Sequence, residues 1–238
     1  MKIRLFTIPN MLTLANLLAG AIAVIVTLQY HNYTLALGLV VLAALFDFLD
    51  GFVARLLNQQ SPLGVQLDSL ADDVTFGLVP ALVMFDIYNA SASYYGCGCA
   101  VMEYLGYVTL LIAAFSVLRL AKFNIDTTQS TEFSGLPTPA NALLLLSVAM
   151  LAEKGYITLY QEHILLLSVA MSLLLISPIR MFALKFKGFG WRGNQLRYIF
   201  LLCSVAIIAL MPIYSVAIII TLYIVVSTLK WLFVKREN

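Results

Sequence analysis

Charge is scarce in this chain, at 11% of residues against 62% hydrophobic. That balance excludes an ordinary soluble domain and implies a polytopic helical membrane protein. Cysteine is scarce as well. Cys97, Cys99 and Cys203 are too few for a disulfide framework, and Cys97-Gly-Cys99 lacks the second pair that a structural zinc site needs, which leaves free, inert thiols. The long apolar run after Pro9 has no small-residue cleavage signal of the Ala-x-Ala type at its end, so a retained first span is expected. No internal repeat, low-complexity tract or soluble domain is visible, and no nucleic-acid partner is expected.

What the chain has in abundance is apolar runs long enough to cross a bilayer, roughly 20 residues each. Eight candidate spans fall at about 9–30, 34–57, 66–90, 101–123, 138–155, 160–178, 196–212 and 213–233. The last two are separated only by the Met211-Pro212 turn signal. Alternating the loops between two sides puts Lys2, Arg4, Arg55, Arg119, Lys122, Arg180, Lys185, Lys187, Arg192, Arg197, Lys230, Lys235 and Arg236 on one face and only Lys154 on the other. The positive-inside rule makes that face cytoplasmic. Gly77 and Pro80 are expected to bend the third span, and Asp86, Glu103, Glu153 and Glu162 read as solvated ends of outer loops. The stretch Ser177–Arg192, which mixes cations with Phe and Trp, suits the cytoplasmic headgroup layer.

Ionisable residues inside such sequence are costly, about 2.5–3.5 kcal/mol each on insertion scales, so the stretch 47–72 stands out. It reads Asp47-x2-Asp50-Gly51-x2-Ala54-Arg55-x8-Gly64-x3-Asp68-x3-Asp72. Asp47 and Asp50 are an i, i+3 pair on one helix, and Gly64, Asp68 and Asp72 form an i, i+4, i+8 ladder on the next. Two helices joined by a short connection therefore aim two pairs of carboxylates at one space. Unpaired, the cluster repels itself; with hard divalent cations it becomes an oxygen cage of the kind Mg²⁺ or Mn²⁺ prefers. Asp73 points about 100° away from Asp72 and is read as a neighbour of the cluster, not a ligand. Asn10, Thr13 and Asn16 share one face at the start of the first helix, in reach of a bound nucleotide, although Pro9 and Asn10 are also ordinary helix-start residues.

The pattern resembles the signature of the CDP-alcohol phosphatidyltransferases, membrane enzymes that move a phosphatidyl group from a CDP-linked lipid to an alcohol. All eight signature positions match. The resemblance implies an all-α bundle with a six-helix catalytic core over residues 1–178, followed by an interfacial segment and C-terminal helix pair over 179–238. It further implies two divalent ions, Mg²⁺ or Mn²⁺, on Asp47, Asp50, Asp68 and Asp72. Arg55 would sit on the phosphates, with Gly51, Ala54 and Gly64 against the nucleotide, and Asp72 would be the general base. Arg119-Leu-Ala-Lys122-Phe-Asn124, with Phe133-Ser-Gly135-Leu-Pro137-Thr-Pro139 and the early Asn10-Met-Leu-Thr13-Leu-Ala-Asn16, resembles the serine-using branch of that family. This makes CDP-diacylglycerol and L-serine the expected substrates and adds Asn10, Thr13 and Arg119 as candidate substrate contacts. It also implies a homodimer, while the lack of a transit-peptide pattern points to a prokaryotic inner membrane and the positive-inside rule turns the site toward the cytoplasm. A covalent phosphatidyl-histidine route is not expected, because neither His31 nor His163 stands in a His-x-Lys arrangement. The alternatives are another acceptor alcohol, such as glycerol 3-phosphate or inositol phosphate, and, from a different class, a cation-coupled transporter.

Overall fold

The computed structural model describes residues 5–94, 96, 100–126, 132–183, 190–191 and 194–237. The expectations for Lys2, Arg4, Cys97, Cys99, Lys185, Lys187 and Arg192 lie outside the described residues, as do the side chains of Glu103, Lys235 and Arg236. In chain order the helices are α1 (Ile8–Tyr30), α2 (Tyr33–Leu56), α3 (Pro62–Asp72), α4 (Val79–Ala90), α5 (Ala100–Leu105), α6 (Leu111–Ile125), α7 (Thr138–Glu153), α8 (Gln161–Ile176), α9 (Gln195–Leu210) and α10 (Ser215–Glu237). A π-helical turn, Asp73–Leu78, joins α3 to α4, and a 3₁₀ turn, Gly106–Leu110, joins α5 to α6. The fold is all-α, in continuous rods close to the expected bounds. Among the described residues, four stretches are long and apolar enough in themselves to cross a membrane: Ile8–Tyr30, Tyr33–Leu56, Gly106–Ile125 and Ser215–Phe233. α7, α8 and α9 are apolar but shorter.

Large apolar residues face outward along much of the bundle, as well as filling its centre, and small and polar residues line the seam where α1 packs. α1 buries Asn10, Thr13, Asn16, Ala19, Ala23 and Val26 at three- and four-residue spacing, while Leu18, Ile22 and Ile25 face outward. α2 packs along it through Ala36, Val40 and Ala43, all fully buried. Small residues let the two backbones approach closely and so fix the face from which the acidic residues project. The centre is filled by Phe76, Met84, Ile112, Leu145, Leu146 and Ile164.

Where the third span was expected to bend, the helix passes through a widened, π-helical turn. An added Cβ at Gly77 would lie 2.6 Å from Asp73 Oδ1 and 2.8 Å from Ser116 Oγ on α6, so only glycine lets the π turn and α6 close together. Pro80 falls in the first turn of α4, where its missing N–H is least costly.

Two features depart from the sequence reading. β1 (Glu132–Ser134) and β2 (Arg180–Phe182) form an antiparallel ribbon, with Phe133 opposite Met181, that ties the α6–α7 loop to the chain after α8. Met181 and Phe182 are buried, so this part of the stretch 177–192 packs against the protein itself. Its anchor is aromatic: Phe182 packs edge-on against Phe200 of α9 and Tyr223 of α10, and the Tyr223 hydroxyl donates to the Phe182 carbonyl at 3.0 Å. Gly135 follows β1 with φ +78°, and a Cβ there would strike the Leu175 carbonyl oxygen. Second, the acids at the far end of the bundle are not simply solvated. Asp86 receives Tyr33 Oη at 3.0 Å and pairs with His31 at 2.8 Å; Glu153 receives the Thr34 amide and hydroxyl; Glu162 receives the Ser93 hydroxyl and the Tyr94 amide.

Candidate active site

The connection between α2 and α3 sets the geometry. Asn58 turns the chain with φ +51°, and Ser61 then caps α3, its Oγ accepting the Gly64 amide at 3.0 Å, with Pro62 in the first turn. α3 returns beside α2, and the helical spacing brings Asp47, Asp50 and Asp68 together, with one carboxylate oxygen of each within 4.8 Å of the others. Asp50 is 6% exposed and accepts from Thr13 of α1, whose Oγ1 lies 2.5 Å from Asp50 Oδ2 and 3.1 Å from the Pro9 carbonyl. Asp68 Oδ1 is buried without a hydrogen-bond partner. Among the described residues the one ion pair recorded is His31–Asp86, at the other end of the bundle.

An all-oxygen set of converging carboxylates, with no cation paired to it and one buried oxygen orphaned, fits a hard divalent cation. Asp72 follows one turn further along α3. It is not one of the three converging acids; it is nearly buried, and its Oδ1 accepts the Asn16 amide at 3.1 Å. Asn16 is held in turn by the Thr75 hydroxyl, which donates to its backbone carbonyl at 3.3 Å.

Beside the acids opens a cavity of about 270 Å³, lined by Asn10, Thr13, Asp50, Gly51, Ala54, Arg55, Gly64 and Asp68 of the residues nominated by sequence. Asp47, Asp72 and Arg119 do not line it. The Arg55 guanidinium lies over Gly51, and a Cβ at Gly64 would sit 3.6 Å from Asn10 Oδ1, where α1 approaches α3 closely. Asn10 spends its own amide on the Leu5 carbonyl, at 2.8 Å. Arg119 belongs to a separate place: it is 8% exposed, donates to Thr138 Oγ1 at 3.4 Å and lies 5.3 Å from the Phe123 ring centroid.

Sequence reading missed Gln59, Gln60, Ser61 and Val65 in the cavity wall, and Asn16 as the partner of Asp72. Ser61-Pro62 is a legible helix start. Nothing local marks Asn16 for Asp72, because the contact spans 56 positions.

The model of one protein family, CDP-alcohol phosphatidyltransferase, matches residues 6–176. The chain belongs to the CDP-alcohol phosphatidyltransferase family. The match covers α1 to α8 and leaves β2, α9 and α10 outside it. Among similar proteins, a CDP-diacylglycerol–serine O-phosphatidyltransferase of Helicobacter pylori is 31% identical over 96% of this chain and 92% of its own length. Its namesake in Bacillus subtilis is 36% identical over 58% of this chain and 72% of its own. The archaeal namesake of Methanocaldococcus jannaschii is 28% identical over 74% of each. Membership in a family of phosphatidyltransferases displaces the cation-coupled transporter as a reading of the acids.

Proposed function

We propose that this protein transfers the phosphatidyl group of CDP-diacylglycerol to L-serine, giving phosphatidylserine and CMP. The observation that carries this reading is the convergence of Asp47, Asp50 and Asp68 beside the Arg55 cavity, with Asp72 one turn away, in a chain that aligns almost end to end with a serine-using relative.

In this reading the cytidine diphosphate enters the cavity between the α1 start and the α2–α3 connection. Gly51 and Gly64 leave room for it, Asn10 and Ala54 border it, and Arg55 places a fixed cation on its phosphates. Two Mg²⁺ or Mn²⁺ ions, held by Asp47, Asp50 and Asp68 with Asp72, supply positive charge to the pyrophosphate oxygens when bound. Thr13 keeps Asp50 oriented, and Asn16 does the same for Asp72. The serine Oγ forms a bond to the β-phosphorus as the bond from that phosphorus to the bridging oxygen breaks; its proton passes to Asp72, and CMP leaves with the bridging oxygen. Arg119, buried apart from the cavity, serves as a contact for the acceptor.

The same reading gives six spans of catalytic core, residues 1–178, and a C-terminal pair, residues 179–238, in a prokaryotic inner membrane with the acids on the cytoplasmic side, assembled as a homodimer. The test is CMP release by the purified protein in detergent with CDP-diacylglycerol and Mn²⁺ or Mg²⁺, offering L-serine, glycerol 3-phosphate or inositol phosphate in turn. Serine-dependent release is expected, with kcat lowered about 10²–10⁴-fold in Asp72→Asn. Release driven only by another alcohol overturns the serine assignment.

A further inference from the structure

A second polar site lies in the apolar core between α6, the start of α7 and α10, and the mechanism above leaves most of it unused. Arg119 is 8% exposed, and its single recorded hydrogen bond is the long one to Thr138. No carboxylate of the described residues pairs with it. A guanidinium carries five N–H donors and is costly to hold out of water without a counter-anion. One turn beyond Thr138, on the same face of α7, Asn141 is fully buried with neither its amide nitrogen nor its amide oxygen partnered. Buried amides are as a rule hydrogen-bonded, so Arg119, which reaches Thr138, and Asn141, on the same α7 face as Thr138, each have donors short of an acceptor.

Two groups lie within electrostatic range of the guanidinium: the Asp72 carboxylate and Tyr223 of α10. The first connects this site to the proposed base. The second is fixed by its bond to the Phe182 carbonyl, which holds α10 against the site from outside the family match.

We propose that Arg119, Thr138 and Asn141 form the subsite that takes the carboxylate of an amino-acid acceptor, closed on one side by Tyr223. A carboxylate matches the planar fork of a guanidinium, and its single charge matches the single cation. The doubly charged phosphate of a phospho-alcohol calls for a second cation, and Lys122, the next cation along α6, is exposed and donates to Ser134. Asn141 contributes an amide to the same ligand, and the hydroxyl of the acceptor then lies toward Asp72. This inference rests on the serine-transferase reading and names the residues that select the acceptor. It also gives α10 a part in the reaction, as a wall of the acceptor subsite.

The experiment is steady-state CMP release by the full chain in detergent with Mn²⁺, varying L-serine at saturating CDP-diacylglycerol and then the reverse. Asn141→Ala and Arg119→Lys are expected to raise KM for serine about tenfold or more while KM for CDP-diacylglycerol stays within about twofold. The unchanged donor KM also shows that the variants are folded. Asn141→Ser, which keeps a small polar side chain, and Tyr223→Phe, which keeps the ring, are expected to move the serine KM in the same direction by less. A KM that rises for CDP-diacylglycerol alone, or equally for both substrates, overturns the subsite, as does an unchanged serine KM in both Asn141 variants. Each of those results leaves serine transfer itself standing. A wild-type protein that uses glycerol 3-phosphate and not serine, with the glycerol 3-phosphate KM raised in Arg119→Lys, overturns both and reassigns the guanidinium to a phosphate.

Discussion

The two ends of the bundle carry the same acidic side chains and use them in opposite ways. At the end where α1 meets α2 and α4 meets α8, Asp86, Glu153 and Glu162 each accept two groups from the protein: His31 and Tyr33, the Thr34 amide and hydroxyl, and Ser93 with the Tyr94 amide. At the other end Asp47, Asp50 and Asp68 face one another, and Asp68 Oδ1 has no donor. A carboxylate surrounded by donors holds the fold together. Carboxylates turned toward each other weaken it unless something positive binds between them.

The largest effect should come from breaking the self-facing set. Asp47→Asn and Asp68→Asn are expected to lower kcat about 10²–10³-fold or more, the scale of losing an electrostatic contact in a preorganised site. Without divalent ions, the same variants should melt in detergent no lower than wild type, because each removes a repulsion. Adding Mg²⁺ or Mn²⁺ should raise the Tm of wild type, by an increment corresponding to about 2.7 kcal/mol at one hundred times Kd, and should raise that of Asp68→Asn far less. A Tm that falls steeply in both variants without metal would show the acids to be structural after all.

Next in size is Thr13→Val, which keeps the shape and removes the donor to Asp50. An outer partner of this kind is worth about 10–100-fold in metal affinity or activity. The divalent concentration needed for half-maximal CMP release should rise, and saturating metal should restore most of the rate. If saturating metal restores nothing, Thr13 acts on substrate and not on the carboxylate.

This contrast between the ends was legible in the sequence on one side only. Local spacing was enough to bring Asp47, Asp50 and Asp68 together, because i, i+3 and i, i+4 steps on two adjacent helices fix which residues share a face, but it also counted in Asp72, which stands one turn outside the three. It marked Gly77 and Pro80 as a break in the regular helix, though not the π turn that the break takes. At the far end local reading failed. Asp86 pairs across 55 positions with His31, and Glu153 across 119 with Thr34, so an acid near a loop looks solvated until the tertiary partner is known. The same limit hid Asn16 behind Asp72. It also hid the β1–β2 ribbon, whose two three-residue strands carry no periodicity of their own and pair only because α7 and α8 bring them together.

The smallest effect is expected where the donors already suffice. Glu153 receives the Thr34 amide at 2.8 Å and the Thr34 hydroxyl at 2.9 Å, in the first turn of α2, where an anion is favoured by the exposed amides and the helix dipole. Glu153→Gln keeps an acceptor oxygen and loses only the charge, which at a partly solvated helix start is worth about 0.3–1 kcal/mol. Asp86→Asn is the harsher variant of the pair, since Tyr33 and His31 both bond to the one oxygen Oδ2 and each then faces a neutral acceptor. Turning a bond to a charged group into a neutral one costs about 1 kcal/mol, and the exposure of His31 pulls the figure lower. Both variants should therefore melt slightly below wild type and release CMP at a rate within about twofold of it, the mirror image of the Asp47 and Asp68 variants. A Glu153→Gln protein that melts normally but loses catalysis would mean that the α2 start transmits its position along the helix to Asp47 and Asp50, and the two ends would then be one device.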